Sequence, residues 1–172
     1  MRNARADRER GTRRWLGLDG SDRILCALPL YNTFGLNQCI NAIMVTGAEL
    51  VLLPRFEAGE GLEAIERYRC TFFPAVPTML QKVLNDPRAR DHDLGSIRRV
   101  LVGAAPVPAP LLAQVYSTIG PQTVVMTGYG LTEATALVSL EHVELGANGN
   151  LARPKSVGKA LTGMRMYVAD PL

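Results

Sequence analysis

Two short segments of this 172-residue chain hold the residue types best suited to chemistry. In Gly128-Tyr129-Gly130-Leu131-Thr132-Glu133 the glycines let backbone approach a ligand, and Tyr129 offers a flat face for a base. Thr132 supplies a hydroxyl that can donate to a phosphate oxygen. Glu133 supplies a hard carboxylate suited to Mg²⁺, which usually takes one or two carboxylates plus substrate phosphates. Spacing alone also allows a plain tight turn in which Thr132 caps a helix and Glu133 sits in its first turn. Gly103-Ala104-Ala105-Pro106 is the second segment. By itself it reads either as a ligand-facing loop or as close packing between a strand and a helix. His92 and His142 fall in polar loop sequence and are not catalytic candidates, and Lys159 is given no role.

These segments need elements to position them. Ile24 to Leu28, Leu50 to Leu53, Thr71 to Phe73, Arg99 to Val102 and Thr123 to Met126 are short apolar runs that read as buried strands. Leu62, Ile65 and Tyr68 mark an amphipathic helix. Val76, Met79, Leu80, Val83 and Leu84 mark a second, with Pro77 in its first turn, where a missing N–H costs nothing. Leu111, Leu112, Val115 and Ile119 form the inner face of a third. Strands separated by helices of this length predict a layered α/β fold with a largely parallel sheet and flanking helices. Ligands in such sheets bind beyond the carboxyl ends of the strands. Both candidate segments are expected there, with Thr127 to Gly130 as a turn. Residues 141–154 read as loop, and Val157 to Tyr167 as the start of a further β region, a second sheet or small barrel.

Composition excludes several classes. Hydrophobic residues are 47% and charged residues 20%, ordinary for a globular chain and not for a disordered one. The net charge is +3, and residues 1–14 alone carry six Arg against Asp7 and Glu9, leaving the rest at −1. No aromatic residue interleaves with these arginines before Trp15, which argues against nucleic acid and for a solvated helix face. The apolar stretch from Phe34 to Ala48 is broken by Asn37, Gln38 and Asn41. It is shorter than the roughly 20 residues of a membrane span, so it reads as a buried helix. That leaves peripheral membrane contact open and a transmembrane segment not. Cys26, Cys39 and Cys70 are widely spaced and follow no metal-ligand pattern. Buried thiols in a reducing cytoplasm are the expectation.

Five segments occur in a fixed order: Pro29-Leu30-Tyr31-Asn32-Thr33-Phe34-Gly35-Leu36, Val76-Pro77-Thr78-Met79-Leu80, Val102-Gly103-Ala104-Ala105-Pro106-Val107, Gly128 to Glu133, and Ser156-Val157-Gly158-Lys159. In that order they resemble the adenylate-forming superfamily, most closely its fatty-acyl-CoA ligases. The resemblance implies a two-step reaction. A carboxylate attacks the α-phosphorus of ATP to give acyl-adenylate and pyrophosphate, and the thiol of coenzyme A then displaces AMP. It also implies the roles. Tyr129 would stack on adenine, with Gly103, Ala104, Ala105 and Pro106 around it and Gly128, Gly130 and Leu131 beside the nucleotide. Thr132 would contact phosphate and Glu133 would hold Mg²⁺. Asn32, Val76 and Gly128 would border the acyl group, although Val76 and Pro77 read equally as helix start and core.

Asn32 departs from the family, which commonly has histidine there; asparagine does not titrate near neutral pH. Amino-acid-activating members usually carry proline at the position of Leu131, which ranks an amino-acid or aryl-acid adenylating domain below a fatty-acid ligase. The resemblance further implies that residues 1–172 are an internal piece of one AMP-binding domain. Residues 1–22 would be the helix after a Ser/Thr/Gly-rich phosphate loop, 23–140 the α/β core, and 141–172 a loop and the start of a β region. The phosphate loop, the ribose-binding aspartate and the lysine of a small C-terminal domain are expected outside the chain. Inactivity alone is the corresponding expectation, with a non-catalytic remnant or interaction module as the other reading.

Overall fold

The computed structural model describes residues 14–146, 151–153 and 156–170. The basic head and most of the expected first helix lie outside them, apart from a helical end at residues 14–16. The sheet has seven strands in the order β2-β1-β3-β4-β5-β6-β7. They are β1 (Arg23–Cys26), β2 (Glu49–Leu52), β3 (Phe72–Ala75), β4 (Arg99–Val102), β5 (Val124–Leu131), β6 (Ala136–His142) and β7 (Lys159–Ala160). Pairing is parallel from β2 through β5 and antiparallel from β5 to β7. The expectation of a layered, largely parallel α/β sheet therefore holds.

Side chains alternate across a strand, so each apolar run feeds two cores. Ile24, Cys26, Phe72, Leu101 and Met126 point to one face, where they meet Leu16, Leu18 and a helical segment through Cys39 and Ala42. That segment, α1, covers residues 33–46 and consists of Thr33–Gly35, a π-helical turn Leu36–Asn41 and Ala42–Thr46. Leu25, Phe73, Val100, Val102 and Val125 point to the other face. There they pack on α2 (Ala58–Tyr68), α3 (Pro77–Asn85) and α4 (Ala109–Thr118). Val76 is the extended residue before α3 and Pro77 its first helical residue, as the sequence predicts. The three cysteines are free and buried. No helix among the described residues is long and apolar enough to cross a membrane.

The amino ends of the strands are tied by one buried carboxylate. Asp22 accepts from the Thr71 hydroxyl at 2.6 Å and from the Arg98 guanidinium at 2.8 Å, with Arg99 at 3.4 Å. One group thus joins β1, β3 and β4, and leaves their carboxyl ends free for other work.

Three expectations change. Thr127 to Gly130 is strand rather than turn, because β5 continues to Leu131. Residues 136–142, not foreseen as a strand, form its antiparallel partner β6, so the expected loop starts only after His142. The region from Val157, expected to start a second sheet or small barrel, contributes among the described residues Lys159–Ala160 to the edge of the same sheet, pairing with Ser139 and Leu140 of β6. The first miss has one cause. Glycines read as turn residues in isolation, whereas here a partner strand satisfies their backbone groups.

Candidate functional site

Beyond the register pair Val102↔Thr127, β4 ends and β5 runs on alone to meet β6. The pairing slips by one residue between Tyr129 and Gly130, a bulge at the carboxyl edge of the parallel strands. Glycine is required there, since a Cβ on Gly130 would collide with the Ala136 carbonyl, and one on Gly128 with Leu137 and Ser139. The 3₁₀ turn Thr132–Ala134 then links β5 to β6.

The backbone around this edge is held in costly conformations. Ala104 has φ 67°, Thr135 φ 63° and Ala136 φ 81°. L-residues pay for the left-handed region, and such residues cluster where a surrounding structure holds a site in place. Ala104 is the middle of the Gly103-Ala104-Ala105 segment, which leaves β4 directly beneath Gly128 and Phe34.

Two cavities open at this edge. The larger, about 490 Å³, is lined by Ala104, Ala105, Pro106, Thr127, Gly128, Tyr129 and Gly130 on one side. Glu141, Arg153, Ser156 and Val157 close its other side. The smaller, about 290 Å³, is lined by Asn32, Thr33, Phe34, Val76, Gly103, Leu131, Thr132 and Leu137, among others. Ala104, Gly128 and Gly130 belong to both walls. The cavities therefore share a wall at the bulge.

The structure gathers almost all the residues singled out from sequence. Tyr129, half exposed at 47%, lines the larger cavity with Ala104, Ala105 and Pro106. Asn32, Val76, Gly103, Leu131 and Thr132 line the smaller one, and Gly128 both. Thr132 is thus on the Val76 side of the bulge rather than among the walls around Tyr129. Thr33 and Thr132, from opposite ends of the core, bring their hydroxyls to 3.5 Å. Glu133 lines neither cavity and projects from the turn into solvent.

Other lining residues carry no sequence signal of their own. Glu141 is buried on β6, ion-paired to Arg153 at 2.7 Å and accepting from the Ser156 hydroxyl at 2.9 Å. These contacts fasten Arg153 and Ser156 beside the larger cavity. Ala136 and Leu137 enter the smaller cavity because β6 folds back on β5, a pairing their residue types do not announce.

The donors present suit a metal held jointly with a ligand, not a protein cage. No group of three His, Cys, Asp or Glu side chains among the described residues could hold an ion. A single carboxylate at Glu133, beside the Thr132 hydroxyl, matches an ion such as Mg²⁺ that takes most of its oxygens from water and phosphate.

Comparison with known proteins bears on this geometry. The family described as AMP-binding enzyme matches residues 2–172. A 4-coumarate–CoA ligase 2 of Oryza sativa subsp. japonica is 36% identical over 156 residues, which cover 91% of this chain and 27% of that protein. A 3-[(3aS,4S,7aS)-7a-methyl-1,5-dioxo-octahydro-1H-inden-4-yl]propanoyl:CoA ligase of Mycobacterium tuberculosis is 39% identical over 161 residues, covering 89% and 29%. Among solved structures, the o-succinylbenzoate coenzyme A synthetase of Bacillus subtilis, in complex with ATP and magnesium, superposes with a TM-score of 0.72 at 28% identity. The match covers 92% of this chain and 31% of that one. The chain thus spans less than a third of the length of these proteins.

Proposed function

This chain belongs to the AMP-binding enzyme family, and from that premise we propose that it supplies the acyl-adenylate half-site of an ATP-dependent carboxylate–CoA ligase. The observation that carries the reading is the wall of Ala104, Gly128 and Gly130 that two neighbouring cavities share. A nucleotide in the larger and an acyl group in the smaller would join at the bulge, where the mixed anhydride of an acyl-adenylate has its phosphate. The B. subtilis protein's complex with ATP and magnesium supports the same assignment.

In this reading Tyr129 stacks on the adenine, and Gly103, Ala104, Ala105 and Pro106 offer it backbone edges. Leu131 holds the strand end. Thr132 donates to a phosphate oxygen from the smaller cavity, next to the residues that both cavities share. Glu133 holds Mg²⁺, whose charge offsets the charge building on the phosphates. The chain's own residues bind, orient and exclude water. The apolar walls from Phe34, Val76, Leu101 and Leu137 lower the local dielectric around the reacting carboxylate, which strengthens every donor aimed at it. Coenzyme A is the co-substrate of the second step, and no residue here is assigned to it.

The acyl group is apolar on this proposal, and a medium or long aliphatic acid remains the reading drawn from the ordered motifs. A ring-bearing acid is the second reading, favoured by the printed names of the rice and mycobacterial proteins. We further propose that residues 1–172 alone bind the adenylate but turn over poorly. Hydrogen bonds to charged groups contribute about 1.5–3 kcal/mol each. Each such donor is therefore worth about tenfold or more in binding or rate.

Calorimetric titration of the purified chain with adenosine sulfamates bearing decanoyl or coumaroyl groups tests the reading. Binding that Tyr129→Ala weakens supports it, and the tighter of the two ligands gives the acyl class. Failure of both to bind a folded chain would refute it in favour of a remnant or interaction module. Acyl-CoA formation at an enzyme-like rate would refute the expected poor turnover.

A further inference from the structure

Thr33 has no role in the reading above, yet it lines the smaller cavity together with Thr132 and the shared residues Ala104, Gly128 and Gly130. It is the first residue of α1, and the chain reaches it through a close approach. A Cβ on Gly35 would collide with the Pro29 carbonyl, so the first turn of α1 lies against Leu28 and Pro29, just after β1. The Asn37 side-chain amide donates to the Thr33 carbonyl at 2.8 Å and fixes that turn from the other side. Thr132 is fixed independently, by the Thr135 N–H donating to its carbonyl at 3.0 Å across the 3₁₀ turn. Two separately anchored backbones thus aim their hydroxyls into one cavity, 99 residues apart in sequence.

The distance between those hydroxyls matters. At 3.5 Å they are well beyond the roughly 2.7–2.8 Å usual between hydroxyl oxygens, so they hold each other weakly. Neither has another hydrogen-bond partner among the described residues. Two slack donors this close can turn together toward one anionic oxygen, or toward two oxygens of one tetrahedral group. Thr33 is half-buried, so such a bond would be partly shielded from water. Asn32, next to it, is exposed and makes no capping bond; it cannot carry the positive charge that a protonated histidine would bring.

We propose that Thr33 and Thr132 form a two-hydroxyl clamp on the anionic phosphate oxygens of the bound nucleotide, making Thr33 a substrate-contacting residue of this chain. The clamp rests on the adenylate reading of the two cavities. It gives the phosphate a neutral pair of donors from α1 and from the β5–β6 connection. Its ligand class is a nucleoside monophosphate, free or joined to an acyl group.

The test uses the whole 172-residue chain, titrated with AMP and with adenosine, which lacks the phosphate. The clamp predicts that Thr33→Val weakens AMP binding by about ten- to a hundredfold and leaves adenosine unchanged. Thr33→Ser, which keeps the hydroxyl, restores AMP binding. Thr132→Val should lose a similar factor, and the double variant less than the product of the two, because the hydroxyls act on one group. Melting curves of each variant exclude unfolding as the cause. If wild type prefers AMP to adenosine and Thr132→Val loses that preference while Thr33→Val keeps it, the clamp is wrong and the adenylate reading stands. A folded wild-type chain that binds neither ligand removes the adenylate reading, and the clamp goes with it.

Discussion

Gly130 sits so close to the carbonyl of Ala136 that no side chain fits between them, and this contact sets the shape of the floor that both cavities share. It exists because β5 slips by one residue against β6 at Tyr129 and Gly130. Gly130→Ala should push the strands apart, at a cost of about 1–3 kcal/mol, as overpacking usually does. It should also abolish AMP binding, since Thr132 would move with the strand end. Urea denaturation and an AMP titration of the variant check both. Wild-type stability would mean that the strands part without penalty and that the bulge is not what fixes the site.

Ala104 carries the opposite kind of constraint, with space for its side chain but a left-handed backbone at φ 67°. That conformation costs an L-residue about 1–2 kcal/mol, and glycine would relieve it while gaining freedom in the unfolded chain worth about 0.4–1 kcal/mol. Ala104→Gly should therefore be at least as stable as wild type. Ala104→Val, with a branched side chain in the same region, should melt lower. Equal melting temperatures for all three would show that the loop relaxes freely and stores no strain.

At the far end of the sheet, Asp22 is fully buried and accepts from Thr71, Arg98 and Arg99. Asp22→Ala removes the acceptor shared by Thr71, Arg98 and Arg99, a loss of about 1–3 kcal/mol, since both guanidiniums keep part of their surface in water. The binding edge lies at the other ends of these strands. The variant should accordingly lose stability in denaturant titrations while AMP affinity, measured where it remains folded, is unchanged. A drop in affinity at full folding would show that the two ends of the sheet are coupled.

The parallel half of this fold was legible because its strands are short, fully apolar and separated by helices with a clear inner stripe. Arg99–Val102 and the Pro77 helix start were placed at their true bounds. The antiparallel half was not. Gly128 and Gly130 carry the local signature of a turn, and only the non-local partner Ala136–His142 makes them strand. The candidate site divides the same way. Tyr129, Thr132 and the Gly103 segment are visible as types at a spacing. Thr33, Leu137, Glu141 and Arg153 enter through tertiary contacts across long sequence separations, for which no local pattern exists.

Acid sensitivity tests a contact outside the site. Asp86 accepts from the Arg88 side chain at 2.9 and 3.0 Å and from the Arg88 N–H at 3.0 Å, capping the 3₁₀ turn Pro87–Arg90 after α3. The Arg88 guanidinium lies in turn directly against Gly59 of α2. The hydrogen bonds from Arg88 hold the Asp86 carboxyl down at about 2, from an ordinary value of 3.8. The folded state therefore binds this proton less readily than the unfolded state. By linkage the contribution is complete above the unfolded value near pH 3.8 and is lost as pH falls through about 2. Asp86→Asn should lower stability at pH 7, and its gap from wild type should shrink across the interval from about pH 4 to pH 2. Thermal midpoints of both proteins at several pH values in and above that interval measure the gap. A gap that stays constant down to pH 2 would assign the loss to the shape of the amide and not to the charge. A gap that closes as the carboxylate takes up its proton would place the stabilisation in the Asp86–Arg88 pair, and with it the seating of Arg88 against α2.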